Sequence, residues 1–83
     1  MEIVYTQKAA KQFRDLPRQI QERIAGKMIF FSEQSDPIKF AKRLVDPKEG
    51  EYRFRVGDFR IIFDVIDNKI FVLKIAKRDK IYD

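Results

Sequence analysis

The hydrophobic period of this chain changes at Glu51. Beyond it Tyr52, Phe54 and Val56 alternate with Arg53 and Arg55, Gly57-Asp58 intervenes, and a second apolar run begins at Phe59. Strict alternation marks a strand with one buried face, and two such runs separated by two turn-forming residues read as a β-hairpin. Glycine in the first loop position suits a type II′ turn, which needs a positive φ there that glycine adopts without strain. A two-residue loop fixes the pairing: Val56 faces Phe59, Arg55 faces Arg60 and Arg53 faces Ile62. Paired residues share a sheet face. Tyr52, Phe54, Val56, Phe59, Ile61 and Phe63 therefore form an apolar side suited to burial, and Arg53, Arg55 and Arg60 lie together on the other.

Upstream the pattern is helical. Glu2 to Tyr5 is a short apolar run read as a strand, and Thr6 is a good N-cap for a helix beginning at Gln7, with Ala9, Ala10 and Phe13 on one side. Leu16-Pro17 ends that helix, because the residue before proline avoids the helical region. A second helix starts at Pro17, with Ile20, Ile24, Met28 and Phe31 as one apolar stripe. The two form a helical hairpin. Asp36-Pro37 and Asp46-Pro47 are turn signals around Ile38 to Leu44, which reads either as a helical turn or as a loop.

The last strand, Ile70 to Ala76, follows Asp67-Asn68-Lys69 and has two readings. A two-residue loop at Asp67-Asn68 points Lys74 into the core and turns Phe71, Leu73 and Ile75 away from it. A three-residue loop sets Ile66 opposite Ile70, brings Phe71, Leu73 and Ile75 into the core, and sends Lys74, Ala76 and Arg78 to the arginine face. Burial favours the second. The order of elements predicts an α+β fold, a short N-terminal strand plus a C-terminal three-stranded meander in a small antiparallel sheet packed on the N-terminal helical hairpin.

Eighty-three residues suffice for one domain, 1–83, with one core. Eight Phe and three Tyr give it enough apolar mass to fold despite 37% charged residues. There is no cysteine and no histidine, which removes disulfides, thiolate zinc sites and the commonest acid-base catalyst. No cofactor is called for. Eighteen basic against thirteen acidic residues leave a net charge of +5, which favours polyanions or acidic protein partners. Neither an export signal at Met1 to Lys8 nor a membrane span is indicated, so a cytoplasmic protein without a membrane partner is expected.

One sheet face thus gathers Arg53, Arg55, Arg60, Lys74 and Arg78, with Tyr82 just past the strand. Basic residues on the polar side of a half-buried sheet are ordinarily a solvated surface. Such surfaces mix signs, however, because directly opposed like charges destabilise a ladder, and here Arg55 faces Arg60 while Asp64 is the only carboxylate in the row. The pattern points to an anion site. For Tyr82 alone, a ring packing at the chain end is the plainer reading.

The run Tyr52-Arg53-Phe54-Arg55-Val56-Gly57-Asp58-Phe59-Arg60-Ile61-Ile62-Phe63 resembles the RelE/ParE superfamily of type II toxin-antitoxin toxins, most of all its RelE-like members. The likeness extends to Leu16-Pro17 between two helices, to Asp36-Pro37, and to Lys77-Arg78 followed by Tyr82. It implies a small antiparallel sheet on a helical hairpin. For RelE-like members it further implies a ribosome-dependent, metal-independent endoribonuclease that cuts mRNA in the ribosomal A site by attack of a 2′-hydroxyl on the adjacent phosphate, and so inhibits translation.

Carried over residue by residue, the resemblance makes Arg60, Arg78 and Tyr82 catalytic. Arg60 would stabilise the phosphorane charge, Arg78 would assist the leaving 5′-oxygen, and Tyr82 would orient or deprotonate the 2′-hydroxyl. Arg53, Arg55, Lys74, Lys77 and Lys80 are the expected RNA-binding residues. Many relatives have lysine where this chain has Arg53 and Arg55, and a guanidinium does not deprotonate, so the general-base task falls to Tyr82. Arg78 and Tyr82 are also closer in sequence than in some bacterial members, which makes Lys80 an alternative counterpart. The resemblance implies a cognate antitoxin as partner, held in a toxin-antitoxin hetero-oligomer. The alternative within the superfamily is a non-catalytic ParE-type inhibitor of DNA gyrase.

Overall fold

Thr6 separates the first two elements and serves both. The computed structural model describes residues 1–46 and 48–78. Strand β1 (Glu2–Tyr5) leads to Thr6, whose hydroxyl oxygen accepts a hydrogen bond from the Ala9 amide at 3.1 Å and so caps helix α1 (Gln7–Arg14). After a break at residues 15–17, α2 (Arg18–Glu33) begins with Pro17 at its N-cap, one residue later than the sequence suggests. A 3-10 turn (Pro37–Phe40) and a two-residue strand, β2 (Lys42–Arg43), follow. The segment Ile38 to Leu44 is therefore part helical turn and part edge strand. Then come β3 (Tyr52–Val56), β4 (Phe59–Ile66) and β5 (Lys69–Lys77).

The sheet order is β1-β5-β4-β3-β2. The meander β3-β4-β5 is antiparallel, as is β2 against β3, but β1 lies parallel to β5 with Ile3 opposite Ile70 and Tyr5 opposite Val72. The sheet is thus mixed. The parallel pairing follows from the connection: two helices, a turn and three strands intervene between β1 and β5, so no hairpin constrains their direction.

The β3–β4 hairpin has the expected register, with Val56 opposite Phe59 and Arg55 opposite Arg60, and Gly57 has φ +57° in the turn. The β4–β5 hairpin corrects the preferred reading. Asp67 and Asn68 both have positive φ, 51° and 61°, which is a two-residue turn of the I′ kind, and Ile66 pairs with Lys69 rather than Ile70. Ile70 and Val72, fully buried, enter the core in place of Phe71 and Leu73, which are half-buried. A β-bulge then shifts the register: Phe63 pairs with Val72 but Ile62 with Lys74, so Leu73 is the extra residue. Past it the parity reverses, Ile75 returns to the core, and Lys74 and Ala76 join the arginine face as anticipated.

The stripe Ile24, Met28 and Phe31 of α2, with Ala9 of α1, packs on Phe54, Val56, Phe59, Ile61, Phe63, Ile70, Val72 and Ile75, while Ile20 and Phe13 close the margin. Rings stack through this layer: Phe31 on Phe54 at 4.1 Å between centroids, Phe54 on Phe63 at 4.2 Å, and Phe63 beside Tyr52 at 5.6 Å. Beyond the end of β1 the bare edge of β5 is covered from α1, where the Gln12 side-chain oxygen accepts from the Ile75 amide at 2.8 Å. This single-sided core leaves the other sheet face to the basic residues.

Candidate nucleic-acid interface

Cross-strand pairing aligns the basic residues in two rows on the face away from the helices. One row runs Lys42, Arg53, Ile62, Lys74 across β2, β3, β4 and β5, and the next runs Arg55, Arg60, Ala76. With neighbouring strands about 4.8 Å apart, Lys42 and Lys74 lie roughly 14 Å from each other along the first row, the scale of two or three nucleotide phosphates. Lys42 is the member of this face that the sequence does not announce. A two-residue edge strand has no periodicity to read, and its pairing with Arg53 is a tertiary fact.

The rows are not uniformly solvated. Arg60 is 2% exposed and Arg53 7%, whereas Arg55 and Lys42 lie at the surface. Ile62, between Arg53 and Lys74, is fully buried although it points away from the core. Its cover comes from the β2–β3 connection: a Cβ at Gly50 would sit 2.6 Å from Ile62 Cγ2 and 3.1 Å from Leu73 Cδ1, so only glycine permits this approach. The Glu51 amide donates to Asp64 Oδ1 at 2.8 Å, and Lys74 Nζ meets Glu49 Oε1 at 3.0 Å. Asp64, the one carboxylate expected in the row, is thus engaged by the Glu51 backbone. It lies four residues from Arg60, about 13 Å along the strand.

Of the remaining candidates, Arg78 follows the last residue of β5 and is exposed, and its amide donates to the Asp58 carbonyl at 2.6 Å, which ties the strand end to the β3–β4 turn. Lys77 pairs with Phe59 and so has the parity of the helix-covered side, apart from the basic rows. Lys80 and Tyr82 lie outside the described residues. The structure therefore brings together Arg53, Arg55, Arg60 and Lys74, adds Lys42, and sets Arg78 at the rim. Among the described residues no helix is long and apolar enough to cross a membrane.

The model of the ParE toxin family of type II toxin-antitoxin systems (parDE) matches residues 3–82, and the chain belongs to that family. No curated protein sequence matches it. Among solved structures, the archaeal RelE-RelB complex from Pyrococcus horikoshii OT3 is similar at 24% identity and a TM-score of 0.74, over 96% of this chain and 97% of that one. The RelBE2 toxin-antitoxin complex of Mycobacterium tuberculosis is similar at 20% identity and 0.74, over 93% and 96%. The intact E. coli RelBE complex is similar at 22% and 0.73, over 92% and 94%. At these identities the likeness establishes a shared fold, a five-stranded mixed sheet under two helices. The chain is a toxin of the RelE/ParE superfamily.

Proposed function

We propose that this toxin is a ribosome-dependent, metal-independent mRNA endonuclease of the RelE type. The observation that carries the reading is the pair of cationic rows, Lys42, Arg53 and Lys74 beside Arg55 and Arg60, on one face of a sheet whose other face is the core. Two arginines set opposite each other concentrate positive charge at one place on the face, which favours an anionic ligand. Guanidinium matches two phosphate oxygens at once, and phosphoryl transfer with an internal nucleophile needs mainly positioning and charge stabilisation.

In this reading Arg55, Arg53, Lys42 and Lys74 hold the RNA backbone in the A site, with Lys80 as a further contact. Tyr82 orients the 2′-hydroxyl and takes its proton, which requires neighbouring cations to favour the phenolate. The 2′-oxygen bonds to phosphorus and the bond from phosphorus to the 5′-oxygen breaks, leaving a cyclic phosphate and a 5′-hydroxyl. Arg60 stabilises the charge on the pentacoordinate phosphorus, and Arg78 the charge on the leaving oxygen. Because a guanidinium does not give up its proton, the leaving oxygen is protonated by Tyr82 or water.

The partner that silences it is a cognate antitoxin in a hetero-oligomer. The net charge of +5 suits an acidic segment that folds on binding, and three of the similar structures are toxin-antitoxin complexes. The toxin acts in the cytoplasm, where ribosomes are. The test is mRNA cleavage on programmed ribosomes by wild type, Arg60→Gln and Tyr82→Phe. Cleavage by wild type alone, and only with ribosomes present, supports the reading. Intact transcripts and continued translation would sink it.

A second reading, a non-catalytic inhibitor of DNA gyrase, has two observations in its favour. The matching family is described by its ParE members, and Arg60 at 2% exposure has the burial of a structural residue. Inhibition of plasmid supercoiling by purified protein, with no RNA cut, would decide for it.

A further inference from the structure

The β2–β3 connection carries a carboxylate into the basic rows. It is fastened independently of that carboxylate, by Gly50 against Ile62 and Leu73 and by the Glu51 amide on Asp64 Oδ1. Leu44 donates to the Glu51 carbonyl at 2.8 Å and closes the loop on itself. From this fixed base Glu49 reaches Lys74 Nζ at 3.0 Å. Lys74 is the last member of the row that begins at Lys42 and Arg53. Its side chain is 25% exposed and that of Glu49 50% exposed, so the pair is open to solvent on one side.

We infer that Lys74 forms an anion subsite for a nucleic-acid backbone phosphate, and that Glu49 fills this subsite in the free chain and leaves it when the phosphate arrives. The ligand follows from the nuclease reading above, but the anion chemistry stands without it. An ammonium is a point charge that donates to a carboxylate or a phosphate oxygen alike. An exposed pair of this kind contributes at most about five-fold to an equilibrium, so a polyanion whose other phosphates reach Arg53 and Lys42 outcompetes it. Because Gly50 and Glu51 anchor the loop by other contacts, the exchange needs only rotation of the Glu49 side chain. Glu49 thereby lowers affinity for any anion that engages Lys74 alone, and favours a ligand that spans the row.

Four proteins test this: wild type, Glu49→Gln, Lys74→Met and the double variant. The first measurement is the rise in Tm on adding inorganic sulfate. Glu49→Gln is expected to respond at roughly two- to five-fold lower sulfate than wild type. With Lys74→Met already present, Glu49→Gln should make no difference. An equal gain in both backgrounds would mean that Glu49 acts through general repulsion, and no gain would mean that it does not occupy the subsite; either overturns the inference. The second measurement is binding of a fluorescent, uncleavable 2′-O-methyl RNA oligonucleotide, where the same coupling through Lys74 is expected. Coupling for sulfate but none for the oligonucleotide would overturn the phosphate-backbone assignment. Failure of all four proteins to bind the oligonucleotide would count against the nuclease reading itself.

Discussion

Arg55 and Arg60 face each other across the β3–β4 ladder yet live in different surroundings, Arg60 at 2% exposure and Arg55 at the surface. Only Arg60 fills buried space, so its removal gives up packing along its aliphatic stem. Arg60→Gln is therefore expected to lower the Tm, and Arg55→Gln to change it less. Thermal melts of the two variants side by side check this. Equal stability would mean that the Arg60 side chain contributes nothing to packing. On the nuclease reading Arg60→Gln also loses cleavage at temperatures where it is still fully folded.

Thr6→Ala removes the cap of α1 and also the weaker 3.4 Å hydrogen bond from the Thr6 hydroxyl to the Leu73 carbonyl. Loss of an N-cap costs about 0.5–2 kcal/mol. For a domain of this size 1 kcal/mol corresponds to a Tm shift of about 4–8 °C, so a fall of several degrees is expected. Thr6→Ser should recover most of it. If alanine melts with wild type, the cap is immaterial to stability.

Tyr5 is the half-buried phenol of β1, its ring 6.1 Å from that of Phe13. Burial raises its pKa above the usual phenol value of 10.0. The folded state therefore holds the proton more tightly than the unfolded one. The stabilisation is fully present below the unfolded pKa of about 10 and is lost as pH rises through the higher folded value. Stability should fall on the alkaline side of about pH 10, and Tyr5→Phe should fall less steeply there while matching wild type at neutral pH. Urea melts across that range give the answer, and identical slopes would refute the assignment.

The two hairpins show where the sequence was legible. At Gly57-Asp58 the turn chemistry and the alternation agree, because only one register buries Tyr52, Phe54, Val56, Phe59, Ile61 and Phe63 together, and that register is observed. At Asp67-Asn68 they conflict: the turn asks for two residues, while burial of Ile75 asks for the other parity. A bulge at Leu73 satisfies both, and nothing in the local composition marks it. The site divides likewise. Arg53, Arg55 and Arg60 share a face by parity alone, but the burial of Arg60 is a tertiary fact, and the pairing of Lys42 and the reach of Glu49 to Lys74 depend on how the β2–β3 connection folds back, which has no local code.

The bulge at Leu73 lets a two-residue turn and a buried Ile75 coexist, and Leu73 is the one residue of β5 that the pairing does not use. It is half-buried, so Leu73→Ala removes only part of the roughly 1.5–3 kcal/mol that complete burial of a leucine contributes, and the protein should still fold. Deleting Leu73 keeps the two-residue turn and joins Val72, opposite Phe63, directly to Lys74, opposite Ile62, so the ladder becomes regular and every later position keeps its face. Lys74 stays in the basic row, and Ile75, 4% exposed, stays in the core. The deletion variant is therefore expected to retain a cooperative melt and the near-ultraviolet dichroism of packed aromatics, with a loss of stability no greater than about 1.5–3 kcal/mol. A deletion variant without a cooperative melt would show that Leu73 holds the register of β5 and is not its spare residue.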